Sequence, residues 1–223
     1  MPTCDSFSDL SEEDVPVRGF LHRSSRTKGD CLVLTHGAGV NCESPLLLAL
    51  ADAFCTAGLT VLRCDLPFRQ KRPHGPPPRG SAEHDQAGLR AAVAAMRRLN
   101  PARIFLGGHS YGGRQASILV AREPQLVNGL LLFSYPLHPP KQPGQLRTAH
   151  FASLQVPALF VHGMRDGFAT SAEMETALSL IPARTELLPI AGAGHELMTK
   201  NNRESLIAAV TSGFGAFMHT KAG

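Results

Sequence analysis

The chain has 223 residues, 43% hydrophobic and 18% charged, with a formal net charge of +4. That size and apolar content suit one folded domain and exclude a disordered polymer. No run reaches the roughly 18 uninterrupted apolar residues of a membrane-spanning helix, so no membrane partner is expected.

Residues 1–14 are acidic and lack the basic start and apolar centre of a secretory signal. They read as a mobile arm ahead of a single domain over 15–223, and a cytoplasmic location is expected. A first strand is predicted near Val15 to Leu21, and a second at Cys31 to Thr35, followed by His36-Gly37-Ala38-Gly39. Ser44-Pro45 is a start signal for a helix to Ala57. Leu59 to Cys64 reads as a strand ending at Asp65.

Much of the positive charge lies between Arg63 and Arg79, including Arg69, Lys71 and Arg72, among Pro73 and Pro76-Pro77-Pro78. This region reads as a solvated, proline-stiffened loop. An anionic ligand is the alternative, and nucleic acid is not expected because no aromatics are interleaved.

Further helices are predicted over Ser81 to Leu99, with Asp85 near its start, and over Gly112 to Ala121, Ala172 to Leu180 and Arg203 to Met218. Further strands are predicted at Ile104 to Leu106, Val127 to Phe133, Pro157 to Gly163 and Thr185 to Ile190. Strands alternating with helices imply an α/β fold, a three-layer α/β/α sandwich around a mainly parallel sheet. Cys4, Cys31, Cys42, Cys55 and Cys64 show no CxxC spacing and read as reduced thiols, Cys42 being the accessible one. No cluster has ligand spacing, so neither metal nor organic cofactor is expected.

Gly108-His109-Ser110-Tyr111-Gly112 fits GxSxG between an apolar strand and a helix. That context marks a nucleophile elbow, a sharp strand-to-helix turn whose neighbours must be nearly free of side-chain bulk. In this architecture the nucleophile is followed in the chain by an acid and then a histidine, each after its own strand. Asp166 follows His162-Gly163, and His195 ends the loop Ala191-Gly192-Ala193-Gly194.

A serine hydroxyl is a poor nucleophile at neutral pH, so an imidazole must take its proton, the role assigned to His195. A carboxylate must hold that imidazole in the right tautomer and stabilise it as it becomes cationic, the role assigned to Asp166. Asp65 is the rival acid, and Glu196 adjoins the histidine. The oxyanion formed on attack needs backbone N–H donors, expected from Tyr111 and from Ala38, with Gly39 second. His36 reads as a brace of that loop or a substrate contact. Tyr135 and His138 stand evenly between pocket wall and packing.

The order HGAG, GHSYGG, HGMRDG, GAGHE resembles the α/β-hydrolase superfamily over nearly the whole chain. More narrowly, the stretch from Phe133 to Gln142 is similar to a small dienelactone-hydrolase-related family. Its domain also occurs in a testis-expressed protein and in a subunit of a chromatin-modifying complex. The resemblance implies an α/β-hydrolase fold and serine-hydrolase chemistry. Dienelactone hydrolases carry cysteine where this chain has Ser110, so the resemblance does not carry their substrate class across.

The interval between Ser134 and Val156 is too short and too rich in proline for a cap domain, so an exposed, shallow site is expected. These features together predict a serine hydrolase of small esters or thioesters, carboxylesterase-like, working through an acyl-enzyme at Ser110. The alternative is a catalytically silent hydrolase-like scaffold for protein interaction.

Overall fold

The computed structural model describes residues 3–26 and 29–219. Eight strands form one sheet, in the order β1-β2-β4-β3-β5-β6-β7-β8. They are β1 (Thr3–Asp9), β2 (Val17–Arg23), β3 (Cys31–Thr35), β4 (Thr60–Cys64), β5 (Ile104–His109), β6 (Gly129–Phe133), β7 (Ala158–Gly163) and β8 (Thr185–Ile190). From β4 to β8 every pairing is parallel; β2 runs antiparallel to both β1 and β4. The helices are α1 (Pro45–Thr56), α2 (Pro67–Lys71), α3 (Ala82–Arg97), α4 (Tyr111–Arg122), α5 (Ser171–Leu178) and α6 (Arg203–His219).

The strands β3, β5, β6 and β7 are buried at every position because both faces of the sheet are covered, and their two-residue period divides the mostly apolar side chains between two cores. Val33, Ile104, Leu106, Leu130, Leu132 and Phe160 point to one face, where α3, α4 and α5 pack. Leu32, Leu34, Phe105, Leu131, Phe133 and Val161 point to the other, against α1 and α6. On that second face Phe214 meets Phe54 and Phe105 edge-on at 5.4 and 5.2 Å. Each fully buried Leu, Val or Phe stabilises by about 1.5–3 kcal/mol, whereas an exposed ion pair such as Arg90 with Glu123 contributes about 0–1 kcal/mol. The two apolar layers therefore hold the sheet, and the sheet holds the loops at its carboxyl edge.

The segment from Ser134 to Pro157 carries only one short 3-10 turn, Phe151–Ser153, and no cap. It packs inward: Leu137, Phe151 and Leu154 are buried, and the Tyr135 hydroxyl donates to the Arg147 carbonyl at 2.7 Å.

Three expectations need correction. The supposed mobile arm contains β1, whose seven residues pair in register with β2, and the strand expected at Val15 to Leu21 lies at Val17–Arg23. Arg63 and Arg69 are not solvated, being 2% and 4% exposed. Arg63 donates to His22 and to the Cys42 carbonyl, and Arg69 to four carbonyls near α2, so the basic charge at these two positions braces backbone. Cys42 is buried, and burial pushes its thiol well up. Asp85 lies in the first turn of α3 as expected, and its carboxylate accepts from the Phe68 N–H and the Tyr111 hydroxyl.

Histidines 22, 36, 109 and 162 are buried, and desolvation lowers the pKa of each below the ordinary 6.5. A lowered folded-state value means that the unfolded chain binds more protons once the pH passes below about 6.5, so stability is present above that pH and lost beneath it. Thermal melts should give a flat Tm between pH 7 and 8 and a progressive fall from pH 6.5 towards pH 5. A Tm that rises on acidification would contradict this.

Candidate active site

Ser110 sits between β5 and α4 with φ 50° and ψ −113°, a strained conformation for a residue with a side chain. The turn is over-determined by its surroundings. The Ser110 N–H donates to the Phe133 carbonyl at 2.8 Å. A Cβ added to Gly112 would stand 2.4 Å from the His36 carbonyl oxygen, and one on Gly108 would stand 2.6 Å from the Gly113 nitrogen. Only glycine admits that approach of strand, turn and helix.

The expected trio meets at the carboxyl edge of the sheet. His195 Nε2 lies 2.8 Å from Ser110 Oγ, and His195 Nδ1 lies 3.0 and 2.9 Å from the two Asp166 oxygens. The Asp166 side chain is fully buried and accepts the Phe168 N–H at 2.9 Å. A buried carboxylate facing Nδ1 selects the tautomer with the proton on Nδ1 and leaves Nε2 as acceptor toward the hydroxyl.

Two rings flank the His195 imidazole. Phe168 stacks on it at 4.1 Å and 30°, and His109 faces it at 5.4 Å. The His109 Nε2–H also donates to the His195 carbonyl at 2.9 Å, so that ring holds both the backbone and one side of the imidazole. Burial keeps His109 neutral by lowering its pKa.

The loop after β3 touches Ser110: a Cβ on Gly37 would lie 3.5 Å from Ser110 Cβ. His36 fixes the plane of that loop. Its Nδ1–H donates to the Gly37 carbonyl at 2.8 Å, and its Nε2 accepts from the Leu66 N–H at 3.1 Å. In a trans peptide the carbonyl and the following N–H point in opposite directions, so holding the Gly37 oxygen sets the Ala38 N–H. Arg69 pins the next peptide by donating to the Ala38 carbonyl at 2.7 Å and to Val40 at 2.9 Å. Among the described residues neither the Ala38 nor the Tyr111 N–H has a protein acceptor.

The remaining sequence candidates lie elsewhere. Asp65 accepts the Cys42 N–H at 2.7 Å and stands 3.5 Å from His36, so it braces the loop and takes no part beside His195. His36, Tyr135 and His138 are all buried, and the bonds of His36 to the loop after β3 and of the Tyr135 hydroxyl to the Arg147 carbonyl are bracing contacts. His138 donates its backbone N–H to the Phe168 carbonyl at 3.2 Å, which helps fix the loop that carries the stacked ring. Gly39 is exposed at the loop tip. Sequence reasoning missed His109, Phe168, Arg69 and Asp85 as site residues; the first two lie inside or beside the recognised motifs, which is the one signal that could have found them.

Similar folds accompany this geometry. Est1E from Butyrivibrio proteoclasticus superposes with TM-score 0.78 at 15% identity, over 96% of this chain and 99% of that one. Dienelactone hydrolase from Anabaena variabilis gives 0.74 at 21% identity over 99% of each chain. XC6422 from Xanthomonas campestris, described as an α/β serine hydrolase without a lid, gives 0.73 at 16% identity over 100% of this chain and 99% of that one. A family model for the α/β hydrolase domain matches residues 28–217, and the chain belongs to that family.

Proposed function

We propose that the chain is a serine hydrolase of small esters or thioesters, with Ser110 as nucleophile, His195 as general base and then acid, and Asp166 as the carboxylate that orients it. The observation that carries this reading is the unbroken hydrogen-bond chain from Ser110 Oγ through the His195 ring to a fully buried Asp166. A fold retained for protein contact alone has no need of a buried carboxylate aligned on an imidazole that is itself aligned on a strained serine.

In this mechanism His195 Nε2 takes the hydroxyl proton as Ser110 Oγ bonds to the acyl carbon. The oxygen of that carbonyl becomes an oxyanion, and the free Ala38 and Tyr111 N–H groups are the donors to it, each contributing on the order of 3–4 kcal/mol to the transition state. The imidazolium returns its proton to the leaving alkoxide or thiolate, and the acyl group remains on Ser110. Water then enters and bonds to the acyl carbon as His195 takes its proton, and the bond from that carbon to Ser110 Oγ breaks as His195 returns the proton to Oγ and the acid leaves. Phe168 packs its face on the imidazole throughout, excluding water from one side and stabilising the cation once formed. The absence of a cap leaves the alcohol side open, which suits small or protruding esters. Est1E, similar in fold, has been solved with ferulic acid bound, a carboxylic acid of the kind that ester hydrolysis would release.

A fluorophosphonate probe should label the native protein at Ser110 and fail to label Ser110→Ala. Asp166→Asn should keep its Tm within a few degrees yet lower kcat by about 10⁴-fold, because the imidazole then presents the wrong tautomer. Folded wild-type protein that leaves Ser110 unlabelled, or an Asp166→Asn variant with near-normal kcat, would overturn the reading.

A further inference from the structure

A groove of about 240 Å³ lies between the loop that follows β3 and the loop that carries His195. Val40, Pro45, Leu46 and Met198 give it apolar walls, and His109, the ring that braces His195, forms part of its lining. It therefore adjoins the elbow on the side of the β3 loop. Ser44 adds a hydroxyl at the start of α1.

The groove carries one charged side chain, Glu196, and no lysine or arginine among the described lining residues. Glu196 is exposed, and its carboxylate has no hydrogen-bonded or ion-paired partner among the described residues. Its charge reaches His109, where it opposes part of the effect of burial. The positive end of α1 offsets at most about half a unit charge, and the Arg69 guanidinium on the Val40 carbonyl is buried behind the wall, so Glu196 is the charge the groove itself presents.

We propose that this groove receives the acyl group of the substrate, and that Glu196 restricts it to short uncharged acyl groups by repelling those that carry a free carboxylate. This rests on the serine-hydrolase reading above. Two unit charges about 6 Å apart at an exposed rim, at low ionic strength and an effective dielectric between those of water and of a surface ion pair, repel enough for roughly a tenfold discrimination. The apolar walls have nothing to offer a carboxylate in exchange for the water it would leave.

The test compares kcat/KM of the full chain at low ionic strength for p-nitrophenyl hexanoate and mono-p-nitrophenyl glutarate, matched in length, after subtraction of spontaneous hydrolysis. The wild type should favour the hexanoate by about tenfold or more, and Glu196→Gln, an isosteric change at an exposed position, should narrow that ratio by at least about threefold, the remainder being set by the apolar walls. A wild-type ratio below about twofold, or a ratio that Glu196→Gln leaves unchanged, overturns the assignment. Fluorophosphonate labelling separates the two levels. Ser110 labelled with neither ester hydrolysed overturns the groove assignment alone, whereas unlabelled Ser110 in folded protein overturns the hydrolase reading and the groove with it.

Discussion

The contact between Asp166 and His195 Nδ1 is the interaction on which the rest of the site depends. A carboxylate with no exposed side-chain surface is expensive to desolvate unless charge or hydrogen bonds compensate it. Here the compensation comes from the imidazole at 2.9 Å and the Phe168 N–H. The same contact decides which nitrogen of His195 is free to face Ser110, so one geometry both compensates the buried carboxylate and orients the imidazole.

That geometry is held from behind by buried polar groups that never touch the serine hydroxyl. His36 and Arg69 fix successive peptides of the loop after β3, Asp85 ties α2 to the Tyr111 side chain, and His109 supports the backbone of His195. Each of these side chains is at most about 6% exposed. Buried polar groups of this kind tolerate little movement because losing one partner leaves the other unsatisfied. The site is thus rigid on the side of the two free N–H groups and open to solvent where a cap would otherwise stand.

Much of this was legible in the amino-acid sequence because the relevant signals are local. Apolar runs marked β3 to β8, GxSxG marked the turn, and the strand-then-loop order singled out Asp166 and His195 over eighteen acids and ten histidines. The pairing of β1 was not legible. Its residues are largely exposed and polar, so they carry no core pattern, and an edge strand of that kind looks like a solvated arm. Arg63 and Arg69 were misread for a related reason. Charge in a proline-rich segment signals solvent unless the fold brings enough carbonyl oxygens to one point, and those carbonyls belong to residues 38, 40, 42, 72 and 75. The roles of Tyr135 and His138 turned on whether the segment after β6 folds inward or projects, a matter of packing that no short motif encodes.

The central claim, that acyl transfer passes through Ser110, is tested most directly by trapping. The native protein would be mixed with excess p-nitrophenyl acetate, quenched in acid during the first turnovers, digested and mapped by mass. The account predicts an acetyl group on the peptide containing Ser110, appearing at the rate of the initial p-nitrophenol burst. Sustained hydrolysis with that peptide unmodified, or with the acetyl group confined to a lysine or cysteine, would contradict it.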